Sequence, residues 1–273
     1  MLAIILLALL AASSAEDRIY NGKEAEPDLN NVIFIVSRYE DPSKDTTCTG
    51  TVISEHYILT AAHCLEPPPK NLQIYTPFES NIGITHPEYY EFLNDIGLIK
   101  VSKPMGIPPV PLAANYFHPK NDWLRVAGYG NTKYQVFSAD NMTSSDRSKM
   151  LMETYLKARS KDDCLNASVI IEFPDWHVIC MYKRDSTILQ GDSGGPAFAQ
   201  GRDGRFYQVG VNVNVATSKF LSSLFAWKMP SQSSFTAASL STNVSYYCPW
   251  IEESTGREVK CQTFKPTKIV PKF

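Results

Sequence analysis

The sequence predicts an all-β protein, on three observations. Apolar residues fall in short runs, the runs are punctuated by Pro, Gly and Asn, and long amphipathic helical repeats are scarce. The runs lie at 32–36, 51–53, 57–60, 72–75, 96–101, 124–127, 178–182, 196–199 and 206–215. Such lengths suit strands, because a helix needs a longer periodic stretch to bury one face. Two segments depart from the pattern. Residues 146–157 read as a helix or as a strand, and about 247–255 read as a short terminal helix.

The 273 residues suffice for one large domain or two small ones, and no internal repeat is visible. Hydrophobic residues at 44% and aromatics at 11% can supply a proper core. A net charge of −2 gives no general attraction to nucleic acid or to an anionic membrane surface.

At the N-terminus, residues 1–15 read as a secretory signal. Residues 2–12 are an unbroken apolar run, and 11–15 are small residues suited to cleavage. That run is too short to span a bilayer. Export to the extracellular space agrees with six cysteines, an even number that suits disulfides. It also agrees with three glycosylation sequons, at Asn141, Asn166 and Asn243. Next, Arg18-Ile19-Tyr20-Asn21-Gly22 is a plausible cut site, which makes 16–18 a propeptide. Cleavage there would create an ammonium at Ile19. A buried ammonium needs a partner, and Asp192 is the candidate.

The segment 190–196, Gln-Gly-Asp-Ser-Gly-Gly-Pro, carries the chemistry. Glycine is entropically costly within a chain unless the backbone takes positive φ or must approach another group closely. A nucleophilic Ser193 would need both, with its Oγ clear of the chain and nearby N–H groups aimed at the carbonyl it attacks. A polar turn between strands would use similar residues. The segment also fits the Gly-x-Ser-x-Gly elbow of α/β-hydrolases, but there the acid and histidine follow the serine. Here all five histidines precede Ser193, which excludes that fold.

Any partners of Ser193 must therefore lie upstream. His63 stands in Ala61-Ala62-His63-Cys64, a tightly packed setting, and a disulfide from Cys48 to Cys64 would hold it in place. Closing that loop is worth about 3 kcal/mol in the chain-entropy model. No second histidine or cysteine pair at ligand spacing points to a metal. Asp95 opens an apolar strand, where a carboxylate needs hydrogen bonds and an imidazole N–H is a suitable donor. His56, His86, His118 and His177 acquire no role.

With His63, Asp95 and Ser193 in this order, the chain resembles the trypsin/chymotrypsin-like serine proteases. The segments that carry the resemblance are 18–22, 59–64, 94–96, 126–132, 191–196 and 249–251. It implies two antiparallel six-stranded β-barrels, near 30–113 and 123–245, with a short C-terminal helix, in a protease domain of 19–261. It implies His63 as general base and acid, Asp95 as the residue fixing its tautomer, and Ser193 as nucleophile. The N–H groups of Gly191 and Ser193 become the oxyanion hole, and Arg18, Ile19 and Asp192 the activation device. Cys164 pairs with Cys180 by the same resemblance, leaving Cys248 for Cys261. The implied partners are a polypeptide substrate, an activating protease and protein inhibitors. A monomer with no cofactor, no metal, no nucleic acid and no membrane is expected.

The chain departs from the family around the substrate pocket. Leu189 stands where cysteine is usual, and its partner cysteine is absent too. Asn212, Asn214 and Val215 stand near the usual Ser-Trp-Gly segment. Thr187 falls at the pocket floor without a gap, and Asp185 falls there with a two-residue insertion. An uncharged, restricted pocket is the expectation taken here, because threonine cannot form an ion pair with Arg or Lys. The altered pocket keeps a second reading open, a catalytically silent homologue that binds a protein partner. The tail 262–273, with lysines among prolines, reads as a disordered, solvated end, with a docking peptide as the alternative.

Overall fold

β-Branched and aromatic residues build strands only where neighbours cover one face, so the apolar runs must find partners across the chain. The computed structural model describes residues 19, 22–74, 78–80, 82–91, 93–117, 122–131, 150–159, 177–184, 186–217 and 237–272. A short strand, Lys23–Glu24 (β1), opens the described chain. The first sheet follows with Val32–Arg38 (β2), Thr46–Val52 (β3), Tyr57–Thr60 (β4) and Asn71–Ile74 (β5). Glu79–Ser80 (β6), Ile82–Thr85 (β7) and Gly97–Lys100 (β8) complete it. Its antiparallel order is β6-β5-β2-β3-β4-β8-β7. The end strands β6 and β7 are almost continuous in sequence, so the sheet closes on itself.

The second sheet holds Trp123–Gly128 (β9), Met152–Arg159 (β10), Val178–Tyr182 (β11) and Pro196–Gly201 (β12). Phe206–Thr217 (β13), Ala237–Asn243 (β14) and Pro266–Thr267 (β15) complete it. Its order is β1-β10-β11-β14-β13-β12-β15, and β9 pairs with both β10 and β12. Six of these strands therefore close a ring, with β1 and β15 added outside it. The architecture is the expected pair of antiparallel barrels: the second is a ring of six strands, and among the described residues the first has seven, of which β6 and β7 are one residue apart.

One apolar core runs through both sheets. Ile35, Ile58, Leu59, Leu98 and Ile99 of the first barrel share a cluster with Val211 and Leu240 of the second. Each such side chain contributes roughly 1.5–3 kcal/mol on burial. The helix Cys248–Ser254 is part of that cluster through Ile251. It follows a 3-10 turn, Val244–Tyr247, whose cap Asn243 accepts from the Ser245 N–H at 3.1 Å.

The ambiguous segment resolves in favour of a strand, since 152–159 form β10. Expectation missed the two-residue strands β1, β6 and β15, and also β7 and β14. The last reads Ala-Ala-Ser-Leu-Ser-Thr-Asn, with too few large apolar residues to stand out. The tail requires a correction. It is not a solvated end, because β15 pairs with β12, Gln200 opposite Thr267 and Gly201 opposite Pro266. Phe264 and Ile269 are buried, and Phe264 stacks on Tyr207 with ring centroids 4.5 Å apart. The physical reason is the Cys248–Cys261 disulfide, which starts the tail on the barrel surface and lowers the entropy of docking the rest.

Candidate active site

His63 lies on a short 3-10 turn, Ala62–Cys64, directly after β4. Ala61, Ala62 and Cys64 are fully buried around it, while the imidazole stays one-third exposed. The Cys48–Cys64 disulfide ties this turn to β3. A His63 ring nitrogen and both sulfurs lie within 4.8 Å of one another, but sulfurs joined in a disulfide are not thiolate ligands, so this is no metal centre. Asp95 arrives from the other side, just ahead of β8. The turn before it needs Asn94 at φ +53°, and Asn94 is anchored through its side-chain oxygen, which accepts from Tyr247 Oη at 2.8 Å.

The Asp95 carboxylate is 2% exposed and takes His63 at two points. Its Oδ1 accepts from the His63 backbone N–H at 3.0 Å, and its Oδ2 meets the ring Nδ1 at 2.7 Å. A carboxylate in this arrangement accepts, so Nδ1 holds the ring proton and Nε2 keeps a lone pair for another hydrogen. The second barrel steadies the same residue, as Thr242 Oγ1 of β14 donates to the Asp95 carbonyl at 2.9 Å.

Ser193 is carried by the loop between Ile188 and β12. The loop is fastened to the first barrel, because the Thr49 N–H of β3 donates to the Ser193 carbonyl at 2.8 Å. Gly194 has φ +81°, and a Cβ there would sit 2.1 Å from Thr60 Oγ1 and 3.1 Å from the Ala61 N. That close approach requires glycine, and it presses the residue after Ser193 against the strand end that leads into His63. Gly191, at φ +98°, is the second position that needs glycine. Across the loop, the Gly194 N–H donates to the Asn212 carbonyl at 2.7 Å, and the Asn212 N–H donates to the Gly195 carbonyl at 2.8 Å.

Asp192 points the opposite way from any solvent and is fully buried. Its carboxylate accepts from the Leu189 N–H and the Gly130 N–H, both at 2.8 Å. A Cβ on Gly128 or Gly130 would strike it, so those two glycines form its cradle. Burial pushes its pKa up to about 7, with the two N–H donors pulling the other way. Among the described residues no cation faces it. Ile19 is also fully buried, at φ +44°. Arg18 lies outside the described residues.

Of the expected pocket residues, Thr187 and Asn212 are fully buried, and Asn214 and Val215 are half-buried. Thr187 Oγ1 is hydrogen-bonded to Ser239 Oγ of β14 at 2.9 Å, and Ser241 Oγ donates to Asn212 Oδ1 at 2.8 Å. Asp185 lies outside the described residues. Cys180 is disulfide-bonded, and its expected partner Cys164 lies outside them too, as do Asn141 and Asn166. Sequence reasoning missed Thr49, Thr242 and Ser239, polar residues mid-strand whose partners are remote in the chain.

Comparison with known proteins bears on the family and the fold. The chain matches the Trypsin family over residues 19–251. It belongs to the trypsin family. Duodenase-1 of Bos taurus is 25% identical over 83% of this chain and 94% of its own length. Trypsin-1 of Salmo salar is 28% identical over 74% of this chain and 84% of its own. Chymase of Mus musculus is 26% identical over 72% and 83%. In fold, the chain is similar to the solved HL collagenase, with a TM-score of 0.65 and 23% identity over 87% of this chain and 99% of that one. This trypsin-family member is thus a divergent one.

Proposed function

We propose that the protein is a secreted serine endopeptidase made as a zymogen and activated by cleavage after Arg18. The observation that carries the reading is the doubly held His63–Asp95 pair, with Nε2 of the imidazole left as an acceptor. In the proposed reaction Ser193 Oγ attacks the scissile carbonyl as His63 Nε2 takes its proton. The N–H groups of Gly191 and Ser193 donate to the oxyanion, and among the described residues no carbonyl competes for either. His63 then protonates the leaving amine, and water hydrolyses the acyl-enzyme by the same route reversed. Asp95 keeps the imidazole in the productive tautomer throughout.

Activation follows from the unpaired state of Asp192. Cleavage after Arg18 turns Ile19 into a free ammonium, the cation that the buried carboxyl lacks in the uncut chain. Their pairing would fix residues 190–193. In the pocket, the Thr187 hydroxyl is already engaged with Ser239 and offers no charge. The substrate side chain entering there is proposed to be uncharged. The peptide substrate and protein inhibitors are the partners that this chemistry implies. Glycosylation is proposed at Asn141 and Asn166. At Asn243 the sequon hydroxyl of Ser245 is engaged, donating to the Ala113 carbonyl and accepting from the Tyr116 N–H, both at 2.9 Å, so a glycan there must precede folding.

The deciding experiment cleaves purified protein after Arg18, adds a fluorophosphonate and follows hydrolysis of a peptide library. Labelling at Ser193 with turnover is expected, and both vanish in Ser193→Ala. A cleaved wild type that neither labels nor hydrolyses any peptide would instead favour a protein-binding homologue on the same fold.

A further inference from the structure

Thr49 is fully buried in the middle of β3, beside the disulfide cysteine Cys48, and faces the serine loop of the other barrel. Its N–H donates to the Ser193 carbonyl at 2.8 Å. Its hydroxyl donates to the Gly191 carbonyl at 2.8 Å and accepts from the Tyr129 N–H at 3.0 Å. Its own carbonyl accepts from Thr60 Oγ1 at 2.9 Å. Its methyl carbon lies 3.1 Å from where a Cβ on Gly195 would stand. One side chain and its peptide therefore hold residues 191, 193 and 195 from the barrel that also carries His63.

The contact with Gly191 matters most. At φ +98° that glycine has no side chain to fix its rotation, and the direction of its N–H depends on how the adjoining peptides are held. Its Cα side is pressed against Gly130, since a Cβ there would lie 2.9 Å from the Gly130 Cα. The carbonyl is held by the Thr49 hydroxyl, a group that donates to Gly191 while accepting from Tyr129. An aliphatic side chain of the same shape can do neither.

We propose that Thr49 is a positioning residue for the oxyanion donors, and that its hydroxyl sets the orientation of the Gly191 N–H. The assignment rests on reading Gly191 and Ser193 as those donors. The test compares Thr49→Val and Thr49→Ser in the protein cleaved after Arg18, by peptide hydrolysis and by the amide NMR resonance of Gly191. Complete loss of an oxyanion donor costs about 10²–10³ in rate, so a misdirected one should lower kcat about tenfold in Thr49→Val. KM is expected to stay within about threefold, and the Gly191 amide to shift. Thr49→Ser keeps the hydroxyl and should keep kcat and the resonance. An unchanged kcat and resonance in Thr49→Val would overturn the proposal. So would a loss in Thr49→Ser as large as in Thr49→Val, which would assign the effect to the methyl. If the valine variant does not fold, Thr49→Ala is judged against Thr49→Ser by the same two readouts. If the wild type is inactive, a Gly191 amide moved by Thr49→Val and not by Thr49→Ser still supports the positioning contact. The hydrolase reading alone would then fall.

Discussion

Both barrels bury apolar clusters, but they present different interiors around His63, Asp95 and the serine loop. Around His63 and Asp95 the first barrel is packed with Ile58, Leu59, Ile96, Leu98 and Ile99, all fully buried. The site-facing side of the second barrel is polar inside. Thr154 meets Ser186 at 3.0 Å, Thr187 meets Ser239 at 2.9 Å, and Ser241 donates to Asn212 at 2.8 Å. Near β1, Arg125 is 2% exposed, donates to Asp28 at 2.7 and 2.8 Å, and donates through both Nε and Nη2 to the single oxygen Oε2 of Glu153. Apolar packing is indifferent to pH and sets a rigid base for an acid–base pair. Hydrogen-bonded packing is directional, which suits a loop held through its backbone, but it leaves that side of the second barrel dependent on each partner being present.

The largest expected effect tests the first barrel's pair. Asp95→Asn keeps the shape but reverses the hydrogen bond to Nδ1, so kcat should fall about 10⁴-fold. Because the surrounding core is apolar, the melting temperature should move little. A comparable loss of stability would mean that Asp95 is structural. Arg125→Ala, in the second barrel, should do the opposite. It leaves the buried Glu153 carboxylate with only the Lys23 ammonium at 3.6 Å and the Glu26 N–H at 3.3 Å, and should cost about 3–5 kcal/mol in denaturant unfolding. A cost below about 1 kcal/mol, the level of an exposed pair, would show that this network is not a support.

Asp192 should make the second barrel's stability depend on pH while the chain is uncut. Its carboxyl titrates near 7 when folded against an ordinary value of 3.8. A raised acid pKa means that the folded chain binds the proton more tightly, so stability is fullest below about pH 4 and is lost as pH rises to about 7. The span is worth about 4 kcal/mol at 1.36 kcal/mol per unit. In the uncleavable Arg18→Gln chain, Asp192→Asn should flatten unfolding free energy between pH 4 and 8 by up to that amount. An unaltered profile would remove the buried, unpaired carboxyl from the account. The smallest effect is Thr187→Val, which breaks one neutral hydroxyl contact while Ser239 still accepts from the Ile188 N–H. About 1 kcal/mol of stability should go, with substrate preference still uncharged.

The comparison also explains which parts were legible beforehand. First-barrel strands such as Tyr57–Thr60 are nearly all apolar and announce themselves. Second-barrel β14 is Ala, Ser, Thr and Asn around a single Leu240, and its place in the core depends on hydroxyl partners that no periodicity reveals. Thr49 was invisible for the same reason: a threonine in a strand is ordinary until its hydroxyl is seen on Gly191.

By itself the sequence determined the strand-rich class, the glycine-lined serine loop, the local Cys48–Cys64 staple and the order of His63, Asp95 and Ser193. These are properties of residue type and short spacing, which are written along the chain. Only the tertiary structure decided that the tail lies on β12, that Asp192 is buried against Gly128 and Gly130, and that Thr49 reaches the serine loop. Each of those depends on contacts between residues far apart in sequence. Such contacts form only when closure of both barrels offsets the entropy of bringing distant segments together.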